Sequence, residues 1–412
     1  MELRPGYKKT DIGVIPENWR VGSISTVAEV KTGPFGSSLH ERDYVNDGTP
    51  IITVEHLGEL GIIHRNLPMV SDTDKARLKS YVLRKNDIVF SRVGSVDRNS
   101  LVSEAEEGWL FSGRLLRVRA SEAFVCPRYL SYYFHTEPFK HRVRSVAVGQ
   151  TMASLNTQIL KGICVALPPD HEQDAIANTL RDVDELMVTL DKLIAKKRDL
   201  KEAAVQQLVT GRMRLPGFSA PWESTTLGQI GECVIGLTYK PENVVRHGIL
   251  VLRSSNIQDG RLAFEDNVYV NVKVPEHLIT RQGDILVCVR NGSRALIGKC
   301  AMIDERAAGE TFGAFMSVYR TKYSQFVFHA FQAYDIQRQI RDNIGATINQ
   351  ITNKDMKALR VMLPSVSEQT AISEVLSDMD AEIAALEKRS EKTRMLKRAM
   401  MQELLTGKTL LI

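Results

Sequence analysis

The sequence predicts an α+β protein. It reads as two α/β-type globules separated by two long antiparallel coiled-coil helices, all within a pseudo-twofold internal repeat. Three observations predict this. The stretch 167–211 recurs at 363–407 without a gap. Each copy carries apolar residues at heptad spacing. Short strand-like runs split by turns fill the chain ahead of each copy.

The repeat is explicit. Leu167-Pro168-Pro169-Asp170-His171-Glu172-Gln173 opens the first copy and Gln206-Gln207-Leu208-Val209-Thr210-Gly211 closes it. The second runs from Leu363-Pro364-Ser365-Val366-Ser367-Glu368-Gln369 to Gln402-Glu403-Leu404-Leu405-Thr406-Gly407. Identities include Glu172/Glu368, Gln173/Gln369, Asp184/Asp380, Leu200/Leu396 and Lys201/Lys397. Ile176, Leu180, Val183, Met187, Leu190 and Ile194 form a heptad seam; Ile372, Leu376, Met379, Ile383 and Leu386 repeat it. The seam breaks at Lys197 and at Ser390/Thr393, and apolar positions resume one place over. Such a helix, with one apolar stripe, needs a partner, and its own copy is the obvious one. Chain order then makes the pair antiparallel.

In order, residues 1–20 read as an extended lead-in with turn chemistry, ending on Trp19. Strand candidates follow at 24–30, 50–54, 87–92 and 115–118, then a helix over about 127–143 and a last strand at 163–167. Pro168-Pro169 stops that strand, and Gly211 suits a helix C′ position. The segment from 222 echoes the first globule: Arg281-Gln282-Gly283-Asp284-Ile285 answers Arg84-Lys85-Asn86-Asp87-Ile88, and Gly345-Ala346-Thr347 answers Gly149-Gln150-Thr151. The boundaries expected are 1–166 for the first globule, 167–211 for the first helix and 212–221 for a linker. The second globule spans 222–362, the second helix 363–407 and a tail 408–412.

Composition is that of an ordinary globular chain, with 43% hydrophobic and 25% charged residues. No apolar run reaches the ~20 residues of a membrane span, and MELRPGYKKT lacks the apolar region of a signal peptide. Five cysteines without a CxxC pair point to a reducing compartment, the cytoplasm, and away from a cysteine zinc site. Net charge is +5. Residues 1–166 hold 22 basic against 18 acidic residues, and 215–362 hold 17 against 14. The two helical segments are each slightly acidic, so the positive excess lies in the globules.

This layout resembles the specificity (S) subunit of type I restriction–modification systems. The resemblance rests on the repeated Leu-Pro-x-x-x-Glu-Gln-x-x-Ile at 167–176 and 363–372. Ile12-Gly13-Val14-Ile15-Pro16-Glu17-Asn18-Trp19, Arg214-Leu215-Pro216-Gly217-Phe218 with Trp222, and the Asp-Ile and Gly-x-Thr segments support it. It implies two target-recognition domains, each reading half of a split, asymmetric site in double-stranded DNA. It implies repeated helices that dock two methyltransferase subunits, with restriction subunits joining the full complex. S-adenosylmethionine, ATP and Mg are then expected on those partners, and no cofactor, metal or catalysis in this chain. Exposed coil faces also open a route to self-association of the isolated chain.

The residues themselves agree with a non-catalytic reading. The chain has no Asn/Asp-Pro-Pro-aromatic motif, glycine-rich loop for S-adenosylmethionine, GxxxxGK[ST], HExxH or GxSxG. DNA contacts are expected from polar residues after each Asp-Ile strand: Ser91, Arg92, Ser95, Arg98 and Asn99, and Arg290, Asn291, Ser293 and Arg294. Second candidates are Gln150 and Thr151, and Thr347, Asn349 and Gln350. Arg114, Arg117 and Arg119 are expected to face one way on a strand as a phosphate strip. A different class of function is a coiled-coil scaffold with two protein-binding modules and no DNA role. A third is a stand-alone DNA enzyme.

Overall fold

The computed structural model describes residues 4–34, 39–59, 61–149, 153–345 and 348–411. It divides into two units: residues 1–191 with 389–412, and residues 192–388. The division falls inside both long helices, Asp170–Leu208 and Val366–Leu404.

In the first unit, an antiparallel sheet runs in the order Ala28–Thr32, Leu115–Ala120, Asp87–Ser91, Asn99–Leu101. The expected strand over 24–30 begins instead with a helical turn, Ile24–Val27. A second sheet joins Leu110–Phe111, Thr49–Ile52, Met69–Val70 and Tyr44–Val45, with Leu110–Phe111 parallel to its neighbour. The helix expected over 127–143 is two helices, Pro127–Phe134 and Glu137–Val146. Pro138 cannot continue a preceding helix but sits well in a first turn, so the chain breaks and restarts. Phe90 meets Phe134 edge-on at 5.6 Å between centroids, and Phe134 stacks on Phe139 at 4.6 Å. Truncating a phenylalanine in such a setting costs about 3–5 kcal/mol.

The second unit repeats these pairings. Gly231–Ile235, Met316–Thr321, Ile285–Cys288 and Cys300–Met302 form its antiparallel sheet. Its other sheet runs Val244–Val245, Tyr269–Val270, Ile249–Leu252, Thr311–Phe312, and the last pair is again parallel.

The Asp-Ile motif is explained by the sheet. Asp87 is buried and accepts from the Arg84 backbone N–H at 2.8 Å and from the Arg119 fork at 2.6 and 2.7 Å. Asp284 does the same with Arg281 N–H at 2.9 Å and the Arg320 guanidinium at 3.1 Å. One carboxylate thus closes a turn and ties it to the facing strand. Leaving either partner alone in that interior would be strongly unfavourable.

Each unit contains antiparallel stretches of the two long helices. In the first, Ile176 and Leu180 join the same core as Leu404 and Leu405, and Lys397 pairs with Asp184 at 2.6 Å. In the second, Val205 and Leu208 share a core with Ile372 and Leu376, and Lys201 pairs with Asp380 at 2.7 Å. These two ion pairs are the same pair, written twice: the repeated aspartate of each helix meets the repeated lysine of the other. The opening Glu-Gln is likewise used twice. Gln173 donates to the Pro168 carbonyl and Gln369 to that of Pro364. Glu172 accepts from Trp19 Nε1 at 3.0 Å and Glu368 from Trp222 Nε1 at 3.1 Å. Both closing glycines take φ near +70°: Gly211 at 71° and Gly407 at 69°.

Candidate nucleic-acid interface

In each unit the loop after the Asp-Ile strand is bridged to the segment that carries or flanks the second candidate loop. In the second unit, Arg290 and Gln350 form an antiparallel bridge. Ile351 N–H donates to the Val289 carbonyl at 2.9 Å, and the Asn349 amide donates to Gly292 at 3.0 Å. In the first unit, Val93 and Ser154 form the equivalent bridge, and Leu155 N–H donates to the Arg92 carbonyl at 2.8 Å. Gln150, Thr151 and Thr347 lie outside the described residues.

The common frame fixes which residues correspond. Arg92 corresponds to Val289, and Val93 to Arg290. In an extended segment, neighbours point to opposite sides. Arg92 is accordingly half-buried, with Nη1 at 3.4 Å from Thr32 Oγ1 and from the Gly113 carbonyl. Arg290 is exposed, and its guanidinium lies 5.0 Å from the Phe315 ring centroid. Ser95, Ser293 and Arg294 are exposed too. Asn291 is half-buried and donates to Ser254 Oγ at 3.1 Å. Arg98 is exposed but returns a hydrogen bond to the Leu57 carbonyl.

Several expected contacts are corrected by burial. Ser91 and Asn99 are buried in adjacent strands, and the Ser91 hydroxyl turns back to the Val93 carbonyl. Both side chains are turned away from solvent. The phosphate strip does not form. Arg117 is 2% exposed and pairs with Glu29 at 2.8 Å, and burial pushes its guanidinium pKa down. Arg119 is consumed by Asp87, whose hydrogen bonds raise its pKa. Arg114 precedes their strand and is exposed, three residues from Arg117 and so off its face. Its carbonyl accepts the Arg92 N–H at 2.9 Å, placing it beside the Arg92 loop instead.

The sequence reading missed Phe315, which is 56% exposed. Its carbonyl accepts from Val289 and Arg290 N–H, both at 3.1 Å, so it occupies the place that Arg114 holds in the first unit. Leu237, Tyr239, Val244 and Phe315 line a neighbouring concavity of about 720 Å³, with Arg253, Ser254 and Ser255 at its polar side. The available signal was an aromatic residue in the Gly313-Ala314-Phe315 turn ahead of a buried strand. Among the described residues, no helix is long and apolar enough to cross a membrane.

A doubled mixed α/β module, each followed by a copy of one long helix, is the architecture of a DNA-specificity subunit. The profile of the type I restriction modification DNA specificity domain matches residues 16–198 and again 220–394. The chain belongs to this family of non-catalytic DNA-recognition subunits and is not itself an enzyme. It is 26% identical to a putative type I restriction enzyme MjaX specificity subunit of Methanocaldococcus jannaschii, over 98% of this chain and 96% of the relative. It is 22% identical to the EcoKI specificity subunit of Escherichia coli K12, over 91% and 85%. The crystal structure of the type I restriction–modification S subunit from M. genitalium aligns with a TM-score of 0.59 at 16% identity, covering 98% of each chain, a likeness of fold.

Proposed function

We propose that this chain reads a split, asymmetric site in double-stranded DNA, one half with each unit. We also propose that it presents the bound DNA to two methyltransferase subunits, which restriction subunits join in the full complex. Residues 1–166 and 222–362 would be the two target-recognition domains and the repeated helices their spacers. One observation carries the reading. The same backbone frame, two bridged loops beside an exposed turn, recurs in both units with different side chains: Arg114 in the first, and Arg290 with Phe315 in the second. A shared scaffold with unlike polar tips suits two different base sequences. Among the described residues, the sequence-predicted contacts left exposed or half-buried for DNA are Arg92, Ser95, Arg98 and Arg114, and Arg290, Asn291, Ser293, Arg294, Asn349 and Gln350.

Docking is supported by the helices. Leu200 and Leu396 are repeat equivalents, and both stay exposed, at 48% and 56%. They sit where the apolar stripe has shifted off the seam, one in each unit. Two equivalent leucines suit two equivalent subunits. S-adenosylmethionine, and ATP with Mg, would reside on those partners, and the assembly would work in the cytoplasm.

Co-expression with the cognate methyltransferase subunits in a host lacking adenine methylation tests this. Methylome sequencing is expected to reveal one two-part motif with a fixed spacer. Methylation without sequence preference refutes the reading and leaves the interaction scaffold.

A further inference from the structure

The geometry points to Phe315 as a thymine reader: its exposed ring contacts the C5-methyl of a thymine in the half-site of the second unit, beside a base pair read by Arg290. This deepens the proposed function and rests on it.

Phe315 is more than half exposed and projects from a turn rather than from the core, directly beside the bridged loops and in contact with Arg290. The turn is tied to the Asp-Ile strand loop, because its carbonyl accepts backbone N–H groups from 289 and 290, both at 3.1 Å. This fixes where the ring emerges, beside the Arg290 guanidinium. Its surroundings favour nucleic acid. Among the described residues no carboxylate pairs with Arg290 or with Arg294, while Arg253 is matched by Asp266 at 2.9 Å. Asp266, which also lines the neighbouring concavity, is thereby occupied. The Arg290 guanidinium, over the exposed ring and without a carboxylate partner among the described residues, complements an anionic, methyl-bearing groove edge.

The chemistry of the major groove then narrows the occupant. Among the four bases only thymine presents a methyl group there, and apolar side chains read it. Arginine reads the N7 and O6 of guanine. Arg290 lies over the ring of Phe315, so the two groups present adjoining contacts from one spot. The first unit has Arg114 in place of the ring. The thymine contact therefore belongs to one half-site alone.

The test is selection from a randomised duplex library by the full chain in complex with its methyltransferase subunits. The wild-type complex is expected to enrich a two-part motif containing a thymine that Phe315→Ala no longer prefers. At that base pair alone discrimination falls about fourfold, the worth of the lost methyl contact, with the other half-site unchanged. On the selected duplex, replacing that thymine by uracil weakens the wild type about fourfold, the worth of one buried methyl, and leaves Phe315→Ala unaffected. Base preferences shared by wild type and variant, or equal wild-type binding of thymine and uracil, overturn the inference while leaving site-specific recognition standing. No enriched motif with the wild type overturns the proposed function, and this inference with it.

Discussion

Replacing Lys397 by Met is the sharpest probe of how the repeated helices hold together. Lys397 and Asp184 are 10% and 18% exposed at the side chain and lie 2.6 Å apart. The lysine also lies 5.6 Å from the Tyr132 ring centroid, and Tyr132 donates to Asp184 at 2.7 Å. Removing the ammonium strands a mostly desolvated carboxylate with one neutral donor. Fully buried pairs broken in this way cost about 3–5 kcal/mol, and exposed ones about 0–1. Partial solvent access places Lys397→Met at about 3 kcal/mol. The equivalent Lys201→Met is expected to cost less, about 2 kcal/mol. Asp380 is 30% exposed and keeps Arg261 within 3.8 Å. Adding Asp184→Asn to Lys397→Met removes the stranded charge while preserving an acceptor for Tyr132. That double variant should return to within about 1 kcal/mol of wild type. Urea unfolding followed by circular dichroism gives the four corners of the cycle. A loss below about 1 kcal/mol for Lys397→Met, or additive losses in the double variant, would refute the argument.

Two further predictions concern buried titratable groups. Glu368 is held by Arg214 at 2.5 and 2.7 Å as well as by Trp222; among the described residues, Glu172 meets Trp19 alone and its buried Oε1 has no hydrogen-bond partner. Burial accordingly raises the Glu172 pKa above 4.5, although the Trp19 hydrogen bond opposes this. A raised carboxyl pKa means that the folded state holds the proton more tightly. Its stabilising effect is complete below 4.5 and is lost as pH rises through the folded value. Thermal melts at pH 7 should show Glu172→Gln neutral or stabilising, and Glu368→Gln destabilising by about 2 kcal/mol; equal losses would contradict this. His329 is 1% exposed, and burial lowers its pKa from 6.5 to about 4, with Lys201 adding to the effect and Asp380 and Gln332 opposing it. Here the unfolded chain binds the proton first. Stability present above pH 6.5 is lost as pH falls toward 4, by roughly 3 kcal/mol in full. Melts of His329→Phe across that range should lack this component, and a pH slope identical to wild type would rule it out.

Much of the architecture was legible because it is written in periodicity. The gapless repeat disclosed two helices. Their heptad steps showed that each needs a partner, and Pro168-Pro169 and the terminal glycines marked their ends. The family resemblance was carried by the same residues. What the sequence could not disclose was why those residues repeat. Asp184/Asp380 and Lys201/Lys397 read as matching letters along a helix, but only the folded chain crosses them, aspartate of one copy with lysine of the other. Contacts at such separations leave no local pattern.

The candidate interface divides in the same way. That a polar loop follows each Asp-Ile strand was readable from position. Which side chains on it are available was not, because alternation along a strand gives relative facing but not which face is covered. Arg117 and Arg119 share a face as period two requires, yet Glu29 and Asp87 occupy both of them. Arg92 and Arg290 both follow an Asp-Ile strand but are one place apart in the frame, so one turns in and the other out. The sequence by itself determined the repeat, the helices and the family. Tertiary structure decided which charges are spent inside and which, with Phe315, remain to meet a partner, since burial depends on neighbours distant in the chain.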